Sequence, residues 1–152
     1  TLLLISLATT TLPQSTDYMV NTWNFTTKEI ISGLDVVDFE GTGRLSIIAG
    51  GSSDGFLYAI RDDGLEKWKY SGGGYVTAVE GHEDKAYASY ARNIYVINSQ
   101  GERVGEYHGG STMMGALIRD IAVGNMDSDP ENEAVFSIYN PRDLACFIKR
   151  ST

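Results

Sequence analysis

Asp54 to Tyr70 reads D-G-F-L-Y-A-I-R-D-D-G-L-E-K-W-K-Y, and its pattern decides the fold. Phe56 to Ile60 is apolar at every position, as a short strand buried on both faces requires. Asp62-Asp63-Gly64 supplies turn chemistry, because glycine accepts positive φ and aspartate bonds its own backbone. Lys67-Trp68-Lys69-Tyr70 then alternates, which puts the aromatics on one face of a strand and the lysines on the other. A buried strand, a tight turn and a half-exposed strand make a hairpin in the outer half of a sheet.

The hairpin recurs. Tyr58, Gly64 and Tyr70 reappear as Tyr95, Gly101 and Tyr107 at a constant spacing of 37 residues, with Gly105 in the place of Trp68. A second register relates Asp38-Phe39-Glu40-Gly41-Thr42-Gly43, followed by Ile47-Ile48, to Asn125-Met126-Asp127-Ser128-Asp129-Pro130, followed by Ala134-Val135. Between them, Tyr75–Val79 and Lys85–Ala91 are expected as two strands joined by a turn over Glu80 to Asp84. Ser71 to Gly74 and Gly109 to Ser111 read as connectors. Met113 to Val123 is assigned to strand and core by the repeat. The chain thus divides into about three units of roughly 35–45 residues with up to four short strands each, the period of propeller blades. No long stretch carries a helical apolar period, so the expected class is all-β: about three blades of four-stranded antiparallel sheets behind a short apolar N-terminal segment.

Composition agrees. Of 152 residues, 42% are hydrophobic and 21% charged, which is globular, and 17 glycines with nine tyrosines suit short strands and tight turns. A net charge of −8 argues against nucleic acid as a partner. The single cysteine, Cys146, excludes an internal disulfide and is expected to pack as a small hydrophobe. His82 and His108 have no cysteine or histidine at metal-ligand spacing, so no zinc, haem or catalytic Cys–His arrangement is expected.

Residues 1–17 form an apolar segment and linker, and 18–152 the repeat domain. Thr1 to Leu12 carries no charge and is shorter than the roughly 20 residues that span a bilayer as a helix. It lacks a basic flank and a small-residue cleavage site, as a signal remnant would have. It could also be part of a membrane anchor. The favoured expectation is a segment that packs on a neighbouring subunit, a lipid surface or an open sheet edge. Val20 to Phe25, in which Trp23-Asn24-Phe25 repeats the spacing of Trp68-Lys69-Tyr70, is expected to be a strand that closes a ring or pairs with a neighbouring chain. Asn24-Phe25-Thr26 is a glycosylation sequon at Asn24, meaningful outside the cytosol.

Gly55 to Ile60 with Asp63-Gly64 and Trp68 resembles the repeat of PQQ-like β-propellers. Asp38 to Ser46 and Asn125 to Glu133 resemble the acidic loops of FG-GAP or VCBS-type propeller repeats, and together the resemblance covers about residues 18–150. In that family such loops hold Ca²⁺ through carboxylates at alternate positions. The resemblance therefore implies a Ca²⁺ site at Asn125, Asp127, Asp129 and Glu133, with Pro130 where the family has glycine. The first loop keeps Asp38 and Glu40 but has Thr42 and Ser46. The alternative is that both loops are solvated turns whose acids bond backbone N–H groups.

Three blades fall short of the four to eight of a closed propeller, so a larger molecule or combined subunits are expected. The function expected is a non-enzymatic secreted or cell-surface protein in structural assembly, adhesion or protein–protein interaction, for instance in a filament or surface layer. Its partners would be proteins, including further copies, with membrane contact open to residues 1–12. The alternative is part of a PQQ-dependent quinoprotein dehydrogenase, although no cofactor constellation is recognisable.

Overall fold

The computed structural model describes residues 22–108, 117–126, 132–140 and 143–150, with backbone alone for His108, Asn140 and 143–150. The expectations for Thr1–Leu12 and for the side chain of Cys146 lie outside the described residues. Every described element is a strand, and no described helix is long and apolar enough to cross a membrane.

Three antiparallel sheets follow one another along the chain. The first is β1 (Ile31–Val37), β2 (Ser46–Gly51), β3 (Phe56–Ile60) and β4 (Glu66–Ser71), paired in that order. The second repeats it with β5 (Val76–His82), β6 (Lys85–Tyr90), β7 (Asn93–Ile97) and β8 (Arg103–His108). The third comprises β9 (Leu117–Gly124), β10 (Glu133–Asn140) and β11 (Asp143–Arg150). The first strands β1, β5 and β9 pack beside one another, with β5 in the middle. The sheets are therefore three blades stacked face to face, with β1, β5 and β9 innermost.

The 37-residue repeat holds at the level of single hydrogen bonds. Gly64 N–H donates to Arg61 C=O at 2.9 Å, and Gly101 N–H donates to Asn98 C=O at 3.0 Å. Trp68 lays its indole over Gly101 of the next blade and donates Nε1–H to Ser99 C=O at 3.1 Å. Trp23 does the same on the first blade, over Gly64 and to Asp62 C=O at 2.9 Å. Trp23 to Phe25 thus takes the packing place of an outer strand, as its spacing suggests. It forms no strand ladder among the described residues.

Burial is nearly continuous along β2 and β3 because both faces are covered. Ile48, Leu57 and Ala59 point to the second blade, where they meet Val76, Val79, Ala86 and Ala88. Ala49, Tyr58 and Ile60 point the other way, toward Trp23 and Phe25. A separate core joins Tyr87, Ile94 and Val96 of the second blade to Ile118, Ile121 and Phe136 of the third. Each described core that joins two sheets belongs to an adjacent pair of blades.

The middle blade departs from the expected turn. β5 continues through Glu80-Gly81-His82, and only Glu83-Asp84 turns, with Glu83 at φ 51. Gly81 is there for close approach: a Cβ would strike the Val36 carbonyl oxygen of the first blade.

Gly101 has φ +83, and an added Cβ would lie 2.9 Å from Trp68 Cγ, whereas Gly73 has φ +77 and open space around it. Gly73→Ala should therefore cost only the left-handed backbone, about 1 kcal/mol. Gly101→Ala should cost about 3 kcal/mol, because the indole must also move. Denaturant midpoints of the two variants measure the difference, and equal losses would contradict the docking of Trp68.

Candidate functional site

Two features of the described residues could carry function: the acidic loops between first and second strands, and the face of the first blade that points away from the second.

In the first acidic loop the carboxylates serve their own turn. Asp38 accepts the backbone N–H of Thr42 at 3.1 Å and of Gly43 at 2.5 Å. These bonds, that of Gly43 foremost, hold its carboxyl below the usual aspartate value. Glu40 pairs with Lys67, and Arg44 reaches both oxygens of Asp62 at 3.0 and 2.9 Å. For this loop the turn alternative accounts for the geometry.

The second loop is described only at its ends. Asn125 is exposed, whereas Asp127 and Asp129 lie outside the described residues. Glu133 is 1% exposed; its Oε2 accepts the Met126 N–H at 2.8 Å, and its buried Oε1 has no partner among the described residues. Among the described residues no three His, Cys, Asp or Glu side chains stand close enough to hold a metal ion.

Inner-strand acids link successive blades. Asp35 on β1 accepts the Gly81 N–H of β5 at 2.7 Å. Glu80, at the matching register of β5, takes the Val123 N–H of β9, while burial raises its carboxyl above the usual value. These bonds satisfy N–H groups that the edge of an inner strand would otherwise leave unpaired.

The outward face of the first blade is apolar and only partly covered. Trp23 and Phe25 shield its outer half, where Phe25 meets the Tyr58 ring at 5.6 Å. The Tyr58 hydroxyl donates to Asp54 Oδ2 at 2.6 Å, and burial with that carboxylate pushes its pKa up to about 12. Among the described residues nothing covers the inner half. Leu34 pairs with Ala49 as Val79 pairs with Ala88, and Ile31 pairs with Gly51 as Val76 pairs with Tyr90. Val79 and Val76 are buried under the first blade at 8% and 0% exposure, whereas Leu34 and Ile31 are 68% and 37% exposed. Val36 adds a third exposed apolar side chain on the same strand. The sequence reading missed this row: I-S-G-L-D-V-V looks like any half-buried strand, and only register against the middle blade marks its apolar residues as uncovered.

No protein-family model matches the chain. No curated protein matches it. Among solved structures, the crystal structure of BamB from Moraxella catarrhalis is similar, with a TM-score of 0.55 and 19% sequence identity. The match covers 77% of this chain and 33% of that one, so the chain spans about a third of the neighbour's length. The likeness shows the fold: the three sheets are blades of the β-propeller type.

Asp38 provides a pH test. Its folded pKa lies below the ordinary value, so its contribution is complete above that value and is lost as pH falls through the lowered one. The stability gap between the native protein and Asp38→Asn should be constant above about pH 5 and shrink below about pH 4. Thermal midpoints from neutral to acidic pH check this; a gap that widens in acid would contradict the cap.

Proposed function

We propose that this protein is a non-enzymatic β-propeller-type module, of PQQ-like or FG-GAP-like repeat, that acts in structural assembly through protein–protein contact at a secreted or cell-surface location. The observation that carries the reading is the row Ile31, Leu34 and Val36, bare on the first blade where its counterparts Val76 and Val79 on the second blade are buried. A contiguous apolar face beside covered equivalents is a surface for another protein. The exposed Asn24 fits glycosylation outside the cytosol. No arrangement among the described residues favours the quinoprotein alternative.

A photo-crosslinking residue placed at Leu34 in the native host should trap a protein, and one at the exposed Glu102 on the outer edge of the second blade should not. Equal labelling at both positions, or none at Leu34, would overturn the reading.

Calcium belongs to the same proposal. The buried Oε1 of Glu133, without a partner among the described residues, would contribute to a hard-cation site with Asn125, Asp127 and Asp129. Millimolar Ca²⁺ should then raise the thermal midpoint of the native protein but not that of Glu133→Gln. An equal effect on both would remove the cation and leave Glu133 as a loop cap.

A further inference from the structure

We propose that the cleft between the β2–β3 turn and the β4–β5 connector binds a neutral sugar ring, with Tyr75 as its stacking platform. The site is separate from the apolar row on β1, so it adds a ligand to the assembly reading and does not rest on it.

Among the described residues, Tyr75 is the tyrosine that blade packing does not use. Tyr58, Tyr87, Tyr90 and Tyr107 are buried, and Tyr70 and Tyr95 pack on the core between the first and second blades. Tyr139 is exposed but carries the Arg119 guanidinium 5.3 Å from its ring centre. Tyr75 is 60% exposed, yet its backbone is fixed. Its C=O accepts the Ala91 N–H at 3.3 Å, and the next residue, Val76, is 0% exposed in the core. A ring already positioned in this way loses little freedom when a ligand settles on it.

The cleft beside it has a volume of about 390 Å³, within the range of small-molecule sites. Ser53, Asp54 and Gly55 of the turn form one wall, and Gly73 and Gly74 of the connector form the other. The two loops touch through their backbones: a Cβ on Gly55 would lie 2.6 Å from the Gly74 carbonyl oxygen. Gly73 turns at φ +77, and around both Gly73 and Gly74 the space a Cβ would face is open. A ligand can therefore come down onto bare peptide groups, which larger residues here would cover.

The chemistry of the walls narrows the ligand. Asp54 accepts the Phe56 N–H at 3.0 Å through Oδ1 and the Tyr58 hydroxyl at 2.6 Å through Oδ2. Its charge is partly met by these donors, which weakens its hold on a cation, while its lone pairs still accept a further O–H. An anion is repelled by the same carboxylate and by the net charge of −8. The exposed Ser53 hydroxyl, 3.5 Å from that of Ser52, can donate and accept. An uncharged molecule with hydroxyls around its rim and C–H groups on a flat face meets all of these needs. The hydroxyls bond Asp54, Ser53 and the glycine peptide groups, and the C–H face lies on the electron-rich face of the Tyr75 ring. A pyranose is such a molecule. One ring face and a few hydrogen bonds make a weak site, with Kd on the order of 1 mM.

The test is titration of the intact, isotopically labelled protein with linear neutral oligosaccharides of glucose, mannose and N-acetylglucosamine, read by backbone amide NMR. At least one of the three should shift the Gly55, Gly73 and Gly74 signals and leave those of Gly64 and Gly101, in the outer turns, in place. Tyr75→Ala should weaken that binding by about tenfold or more, whereas Tyr75→Phe, which keeps the ring, should stay within about twofold of the native protein. Should Tyr75→Ala fail to fold, the glycine shifts in the native protein decide alone. No shift with any of the three sugars, or shifts that leave Gly73 and Gly74 untouched, would overturn the proposal. So would equal binding by folded Tyr75→Ala, tighter binding of polygalacturonate than of the neutral sugars, or a proline-rich peptide that moves these signals where no sugar does. None of these outcomes touches the crosslinking test at Leu34, so this inference and the assembly reading stand or fall separately.

Discussion

The side chain of Val79, seated on the bare backbone of Gly33 and Gly50, is the contact on which the rest of the molecule depends. A strand such as β3, apolar on both faces, has no stable place on a surface. It needs a sheet on each side, and sheets with large residues on both faces would stand too far apart for their innermost strands to meet. Glycine at Gly33, Gly50 and Gly81 lets the inner strands approach until a side chain of one fills the space a Cβ would take on the next. Farther from the centre the residues grow: Leu57 and Ile97 in the middle, then Trp68, Tyr70 and Tyr95. Small at the inner strands and large at the outer, the blades become wedges, and wedges stack around an axis.

The polar groups follow the same geometry. Asp35 and Glu80 reach from one inner strand to the next and cap N–H groups that the wedge leaves at its thin end. At the thick end Tyr90 and Tyr95 stack at 5.0 Å, and Arg103 lies 4.9 Å from the Tyr95 ring centre, so aromatic faces are closed by a cation on the solvent side. Such a stack has identical needs at every junction, and its two ends expose whatever the next wedge would cover. The proposed assembly function follows from that exposure rather than from a cleft or a cluster of reactive groups.

The outer hairpins were legible in the sequence because their chemistry is local. Asp63-Gly64 and Gln100-Gly101 make turns that need positive φ, and the aromatic alternation after the first of them marks the face that packs. The inner strands were harder. Glu80-Gly81-His82 has the composition of a turn, yet its glycine answers a neighbour 45 positions away in the chain, Val36, and no local rule reveals that. Trp23 was recognised by its spacing, but whether it has a ladder partner depends on strands that lie elsewhere. In the acidic loops the carboxylate pattern was visible. That Asp38 caps its own turn required the positions of the Thr42 and Gly43 amides.

If the blades share cores across their junctions, none should fold by itself, and the described chain should unfold as one unit. The chain holds two tryptophans, so Trp23→Phe leaves Trp68, at the junction of the first and second blades, as the one indole reporter. The direct measurement is denaturant unfolding of this variant followed by Trp68 fluorescence and by far-UV circular dichroism. The account predicts a single transition with superimposable curves. Two resolved transitions, or a fluorescence midpoint well separated from the loss of strand signal, would mean that each sheet stands alone and would contradict the stacked-wedge account.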